Sequence, residues 1–199
     1  MSEIVVVNSL TLDGVMQAPG RPDEDTRGGF EHGGWAQPYN DAVLGQKMAE
    51  GMTTAGPILL GRRTYEDFAS VWPHMPAGNP YTEVINNARK YVASTTLKEP
   101  LTWNNSTLLE GGVTDAVAGL RDQAGPDIVV LGSGELVRSL ARAGLVDRYV
   151  LLIHPLVLSS GRRLFDAVGT VATLHLVDSV TTTTGVIIAT YQPAGATTA

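Results

Sequence analysis

Residues 127–144, DIVVLGSGELVRSLARAG, carry the pattern that decides the fold. Ile128–Leu131 is a short apolar run rich in β-branched side chains and bounded by Pro126 and Gly132, so it reads as a buried strand. Gly132-Ser133-Gly134 turns the chain, and a helix is expected over Glu135–Arg142, closed by Gly144.

The same succession occurs upstream. Pro57–Leu60 reads as a strand, Gly61 as its turn and Arg62–Phe68 as a short helix that Trp72-Pro73 stops, because the residue before proline avoids helical backbone. Ile4–Val7 is a further buried strand, ending at Asn8 and Ser9. Apolar positions 42, 43, 44, 48, 49 and 52 approximate helical spacing, giving about three turns after Pro38. Tyr91–Ala93 and Thr107–Leu109 read as short strands, residues 113–123 as a helix and residues 74–88 as irregular. After Arg148 the helices cease, and strands are expected at Tyr149–His154, Leu174–Ser179 and Val186–Tyr191. The expected fold is α/β: a mostly parallel central sheet flanked by helices, with antiparallel C-terminal strands. One domain covers residues 1–193, and residues 194–199 form a frayed tail.

Composition narrows the function. The chain has 199 residues, 43% of them apolar, and a formal charge of −6. Such a balance argues against a nucleic-acid partner, which requires clustered cations. With no cysteine, disulfides, thiolate metal sites and cysteine nucleophiles are excluded. The four histidines fall at 32, 74, 154 and 175 without a ligand spacing, and no GxSxG marks a serine hydrolase. The start of the chain lacks a basic region and a long apolar core, so no signal peptide is expected. No apolar run nears the roughly 20 residues needed to cross a bilayer. A cytoplasmic protein is the expectation.

Three strand-end turns carry the chemistry. At Gly61-Arg62-Arg63-Thr64 the glycine admits a close ligand, the free amides of a helix start favour an anion, and two arginines add bidentate donors. An exposed basic helix start is the plainer alternative. Gly132-Ser133-Gly134, followed by Glu135 and Leu136, offers the same anion-binding geometry or merely a tight turn. Ser94-Thr95 adds hydroxyls and amides, unless it is only a strand-end cap. Asp13-Gly14 opens a loop over residues 13–36 that reads as a candidate active-site lid. Asp13 is a candidate acid or a plain turn residue, and Asp41 a second carboxylate or a helix-start residue favoured by the dipole.

Taken in order, TLDGVM at 11–16, ILLGRRTYEDF at 58–68, YVAST at 91–95, IVVLGSGELVRSL at 128–140 and GLVDRYVLLIHPLVLSSGRRLF at 144–165 resemble the dihydrofolate-reductase-like family. The likeness is greatest to the reductase domain of the bifunctional riboflavin-biosynthesis deaminase-reductase and its stand-alone relatives, and spans residues 3–192. It implies an NADPH-dependent reductase that transfers a hydride to a small heterocycle, pterin-like or riboflavin-precursor-like, and a homodimer. It places Gly61–Thr64 at the cofactor phosphates, Ser94-Thr95 with Arg62 or Arg63 at the adenosine 2′-phosphate, and Gly132–Leu136 at the pyrophosphate. Leu12–Gly14 and the loop after them would close over the nicotinamide. Asp13, or a water it holds, is then the candidate proton donor, with Asp41 second. A ligand-binding protein without turnover is the alternative on the same scaffold.

The chain departs from the riboflavin-pathway pattern. Val7 stands where those reductases carry a lysine, Thr11 where they carry a serine, and TYEDFASVWP replaces a TVxxDDP segment. These changes point away from the pathway's own phosphoribosylaminopyrimidine. The cysteine motif of a zinc deaminase is absent.

Overall fold

The opening run IVVVNSLT forms β1 (Ile4–Thr11), with Ile4 and Val6 fully buried. The computed structural model describes residues 1–54, 56–76, 80–166 and 172–195. Helix α1 (Ala42–Thr54) leads to β2 (Ile58–Gly61) and α2 (Arg62–Val71), then α3 (Pro80–Asn87), β3 (Lys90–Ala93) and β4 (Ser106–Leu108). Helix α4 (Val113–Arg121), β5 (Ile128–Leu131) and α5 (Gly134–Arg142) follow, and β6 (Arg148–His154), β7 (Leu174–Thr181) and β8 (Ile187–Pro193) close the chain.

The eight strands make one sheet in the order β4-β3-β2-β5-β1-β6-β8-β7. From β4 to β6 all neighbours are parallel, whereas β8 runs antiparallel to β6 and β7. The expected α/β architecture, with antiparallel C-terminal strands, is the observed one. The core is continuous through the sheet: Leu59, Leu60, Val92 and Val130 have no exposed surface. The chain steps outward from β1 through β2 to β4, then returns to insert β5 between β2 and β1. The carboxyl ends of β3, β2, β5 and β1 therefore lie consecutively along one edge, where ligands of open α/β sheets collect.

Two features depart from the sequence expectation. Strand β1 runs four residues past Val7, because Asn8 does not turn the chain; it is buried, and its side chain donates to Gly132 O at 3.3 Å. Residues 80–87, expected to be irregular, form α3, which buries Ile85 completely despite a sequence with two asparagines. Residues 77–79 lie outside the described residues. Lys90 is fully buried, its Nζ donating to Asn86 O, Ala88 O and Asn104 O and standing 4.3 Å over the Trp103 ring. Those bonds satisfy the ammonium and seal the C-terminus of α3.

The long loop is no loose lid. Val15, Ala18, Phe30 and Trp35 form a small core of their own, and Val15 pairs with Arg163 in an isolated bridge. Of the tail expected to fray over residues 194–199, Ala194 N still donates to Thr173 O at 2.8 Å, while residues 196–199 lie outside the described residues. Among the described residues no helix is long and apolar enough to cross a membrane.

Candidate functional site

Helices α2 and α5 begin immediately after the paired strands β2 and β5, so their N-termini meet. Neither start has a side-chain cap: the residue before α2 is Gly61, and Ser133 before α5 turns its hydroxyl elsewhere. Gly61 N donates to Ser133 Oγ at 2.8 Å, and that hydroxyl donates to Thr64 Oγ1 at 2.8 Å. One serine thus staples the two turns together, while among the described residues the first-turn amides of both helices have no side-chain cap.

The glycines are there because of this closeness. A Cβ on Gly61 would stand 3.2 Å from Ser133 Oγ, and one on Gly132 would stand 3.3 Å from Thr64. Gly132 and Ser133 both adopt left-handed backbone, at φ +57° and +61°. For serine this conformation is uncommon and costs about 1–3 kcal/mol, the kind of strain that persists at binding sites. A Cβ on Gly134 would come within 2.6 Å of Met16 Sδ, so the segment after β1 borders the same turn.

The flanking charges favour an anion. Arg62 pairs with Glu66 one helical turn on, at 2.9 Å. Arg63 is exposed and forms no ion pair or hydrogen bond among the described residues. Ser94 follows β3, whose Ala93 is in register with Gly61; its Oγ accepts from the amides of Thr96 and Leu97 at 3.1 and 2.9 Å, as a strand-end cap does, while Thr95 is exposed. Glu135 places a carboxylate in the first turn of α5, and Arg138 offsets it at 2.6 Å. The structure therefore brings Gly61–Thr64 and Gly132–Leu136 together, and sets Ser94-Thr95 and Leu12–Gly14 on either side. Leu12, 63% exposed, is an apolar side chain left open at this mouth.

The two carboxylates are tied down. Asp13 accepts from Thr11 Oγ1 at 2.6 Å, from Leu158 N and Ser159 N at 3.2 and 2.9 Å, and from Arg163 Nη2 at 3.3 Å. The Thr11 hydroxyl first, and then the Leu158 and Ser159 amides, bring its pKa down to about 2 against the opposing effect of burial. Held ionised, Asp13 is unsuited to giving up a proton at neutral pH, and its geometry is that of an anchor between the β1 turn and residues 158–163. Asp41 caps α1 through Leu44 N at 2.8 Å and takes Thr183 Oγ1 and Thr184 N at 2.5 and 3.1 Å. Its pKa also falls to about 2, chiefly through the Leu44 amide. The helix-start reading accounts for Asp41, which ties α1 to the β7–β8 turn.

Sequence reasoning passed over His154. It ends β6 opposite Thr11, is 1% exposed, and stands edge-on between Trp35 and Tyr39 at 5.1 and 5.6 Å. Its Nδ1 lies 2.9 Å from Leu152 O, which assigns the proton to that nitrogen, and burial holds its pKa below the usual histidine value. It wedges the long loop against the sheet. The pairing of a strand-end histidine with Trp35 has no sequence signature. No group of acidic and histidine side chains suited to a metal occurs among the described residues.

The sequence profile of the RibD C-terminal domain matches residues 3–188. An uncharacterized protein of Bacillus subtilis (strain 168), YyaP, is 30% identical over 140 residues, covering 68% of this chain and 72% of the relative. A second from the same strain, YwjB, is 25% identical over 112 residues, or 56% of this chain and 59% of the relative. The crystal structure of a candidate riboflavin biosynthesis protein from Shewanella sp. PV-4 superposes with a TM-score of 0.74 at 19% identity, over 96% of this chain and 99% of that one. A pyrimidine reductase-like protein from Corynebacterium diphtheriae gives 0.65 at 14% identity, over 97% and 92%. At such identities these two structures establish the shared fold.

Proposed function

The chain belongs to the RibD C-terminal domain family, and on that premise we propose that it is an NADPH-dependent reductase acting on a small conjugated heterocycle. A reductase-like role agrees with the family and with the reductase-like fold neighbour. The observation that carries the cofactor reading is the meeting of two helix N-termini without side-chain caps, joined through Ser133.

The residues present fit a dinucleotide. Open first-turn amides and the positive ends of two helix dipoles suit a pyrophosphate, and the missing Cβ atoms at Gly61 and Gly132 let it approach. Arg63, without a partner among the described residues, suits a 2′-phosphate and so favours NADPH over NADH. When bound, NADPH supplies the hydride. The protein orients the ring, with Leu12 and the segment to Met16 shielding the mouth from water, which aligns the acceptor for transfer. Asp13, ionised, anchors that segment, and the proton is drawn from water. Asp41 acts through α1 and the β7–β8 turn rather than at the reacting atoms. A homodimer through β7 is part of the proposal: this edge strand leaves Leu176 and Val177 each 56% exposed. A cytoplasmic location accompanies the reading.

The proposal is tested by following NADPH oxidation with a panel of pterins, pyrimidines and flavin precursors. Turnover of one acceptor, lost in a Gly132→Val variant that still folds, supports it. NADPH binding without turnover of any acceptor selects the second reading, a binding protein on the same scaffold.

A further inference from the structure

A pocket of about 260 Å³ lies between the long loop and the segment after β6, outside the turns assigned to the dinucleotide. Arg27, Gly28 and Gly29 line one side and Ser160, Gly161 and Arg162 the other, with Gln17 between them. Gln17 is 3% exposed and fully engaged: Nε2 donates to Asp25 O and Arg27 O at 3.0 and 2.9 Å, and Oε1 accepts from Arg162 N at 3.0 Å. One buried amide therefore fixes the backbones of both arginines.

The lining keeps an excess of donors. Asp25 takes Nε and Nη2 of Arg27, leaving Nη1 unused. Arg162 comes no closer than 3.8 Å to Glu135, too far for a hydrogen bond, and that same carboxylate oxygen is already held by Arg138 at 2.6 Å. The backbone amides of Gly28, Gly29, Ser160 and Gly161 donate to no acceptor among the described residues. Gly28 and Gly29, at φ +71° and +72°, put no side chain across the opening. At Gly161, φ +103°, a Cβ would meet the Phe30 ring at 2.7 Å and the Val15 side chain at 2.8 Å, so glycine is what lets these side chains pack against the turn. With Asp25 hydrogen-bonded to Arg27 and Glu135 to Arg138, the guanidinium of Arg162 keeps only the 3.8 Å ion pair to Glu135 and its attraction to Asp25, so the three arginines outnumber the two carboxylates around the pocket.

Donors without acceptors, two arginines and a rigid floor match an oxyanion. We propose that this pocket binds a phosphate group, free or carried on a larger molecule, at a site separate from the dinucleotide turns. The assignment rests on these loops alone and stands whether or not the chain is a reductase.

Calorimetric titration with inorganic phosphate, at ionic strength held constant with chloride, tests it. In an Arg62→Ala/Arg63→Ala background, which removes the cations beside the dinucleotide turns, phosphate still binds saturably, while adding Arg162→Gln, a change at an exposed side chain, weakens binding about tenfold or more. Ribose 5-phosphate binding tighter than inorganic phosphate identifies a carried group, and equal affinities a free ion. Absence of saturable binding in that background, or equal binding after adding Arg162→Gln, overturns the proposal. An NADPH titration of Arg162→Gln keeps failure of this site distinct from failure of the cofactor reading.

Discussion

Two kinds of helix start stand on the same edge of the sheet. At α1 the carboxylate of Asp41 occupies the amide of Leu44 and binds the β7–β8 turn besides. At α2 and α5 the amides are left to solvent, and the serine that would cap α5 is spent on joining the two turns. A missing cap alone does not mark a site, because α4 also starts without one, after Gly112. The difference is convergence: α2 and α5 aim two positive dipole ends at one place, beside an Arg63 that has no partner among the described residues. A closed start serves the fold, and a converging open pair serves a ligand.

The largest effect is expected from filling the open pair. Gly132→Val places a β-branched residue at φ +57° against Thr64. It costs about 1–3 kcal/mol in strain and abolishes NADPH binding, whereas Gly119→Ala, in α4 with open space around it, leaves binding intact. Parallel melting and titration curves of the two variants check this. Equal binding by both would break the comparison.

Next in size is the charge beside the pair. Arg63→Ala weakens NADPH about tenfold or more and leaves NADH nearly unchanged, with Arg62→Ala smaller because Glu66 already holds that side chain. Titration with both dinucleotides sharpens the assignment of the 2′-phosphate.

At the closed start the effect moves from binding to stability. Asp41→Ala lowers the melting temperature by a few degrees, as loss of a helix cap does, and leaves NADPH affinity unchanged.

The smallest effect is that of acid. Asp13 and Asp41 have folded pKa values of about 2, below the roughly 3.9 of an unfolded aspartate. The folded chain thus binds fewer protons in that window. Their contribution is complete above pH 4 and is lost as pH falls from about 4 toward 2. Melting temperatures of the wild type and Asp13→Asn converge on acidification; a constant gap between them would deny Asp13 its anchoring role.

What the sequence disclosed follows from range. The strands, the glycine turns at 61 and 132 and the parallel order were readable because a buried strand, a glycine and a helix start lie within a dozen neighbouring residues. The partners that decide chemistry were not. Asp13 reads as a possible acid until Leu158, Ser159 and Arg163, some 150 positions away, are seen to hold it. The burial of His154 and Lys90 likewise rests on partners from other segments, Trp35 and Tyr39 for the first and Asn104 and Trp103 for the second. Helix α3 is hidden by asparagines whose low propensity is overridden by the burial of Ile85.

The central claim, that two converging helix starts hold a dinucleotide, is tested most directly by calorimetric titration of the wild type and Arg63→Ala with NADPH and NADH. Saturable NADPH binding, tighter than NADH in the wild type and reduced to the level of NADH in the variant, is the predicted result. Failure of the wild type to bind either dinucleotide, or equal weakening of both in the variant, would contradict it.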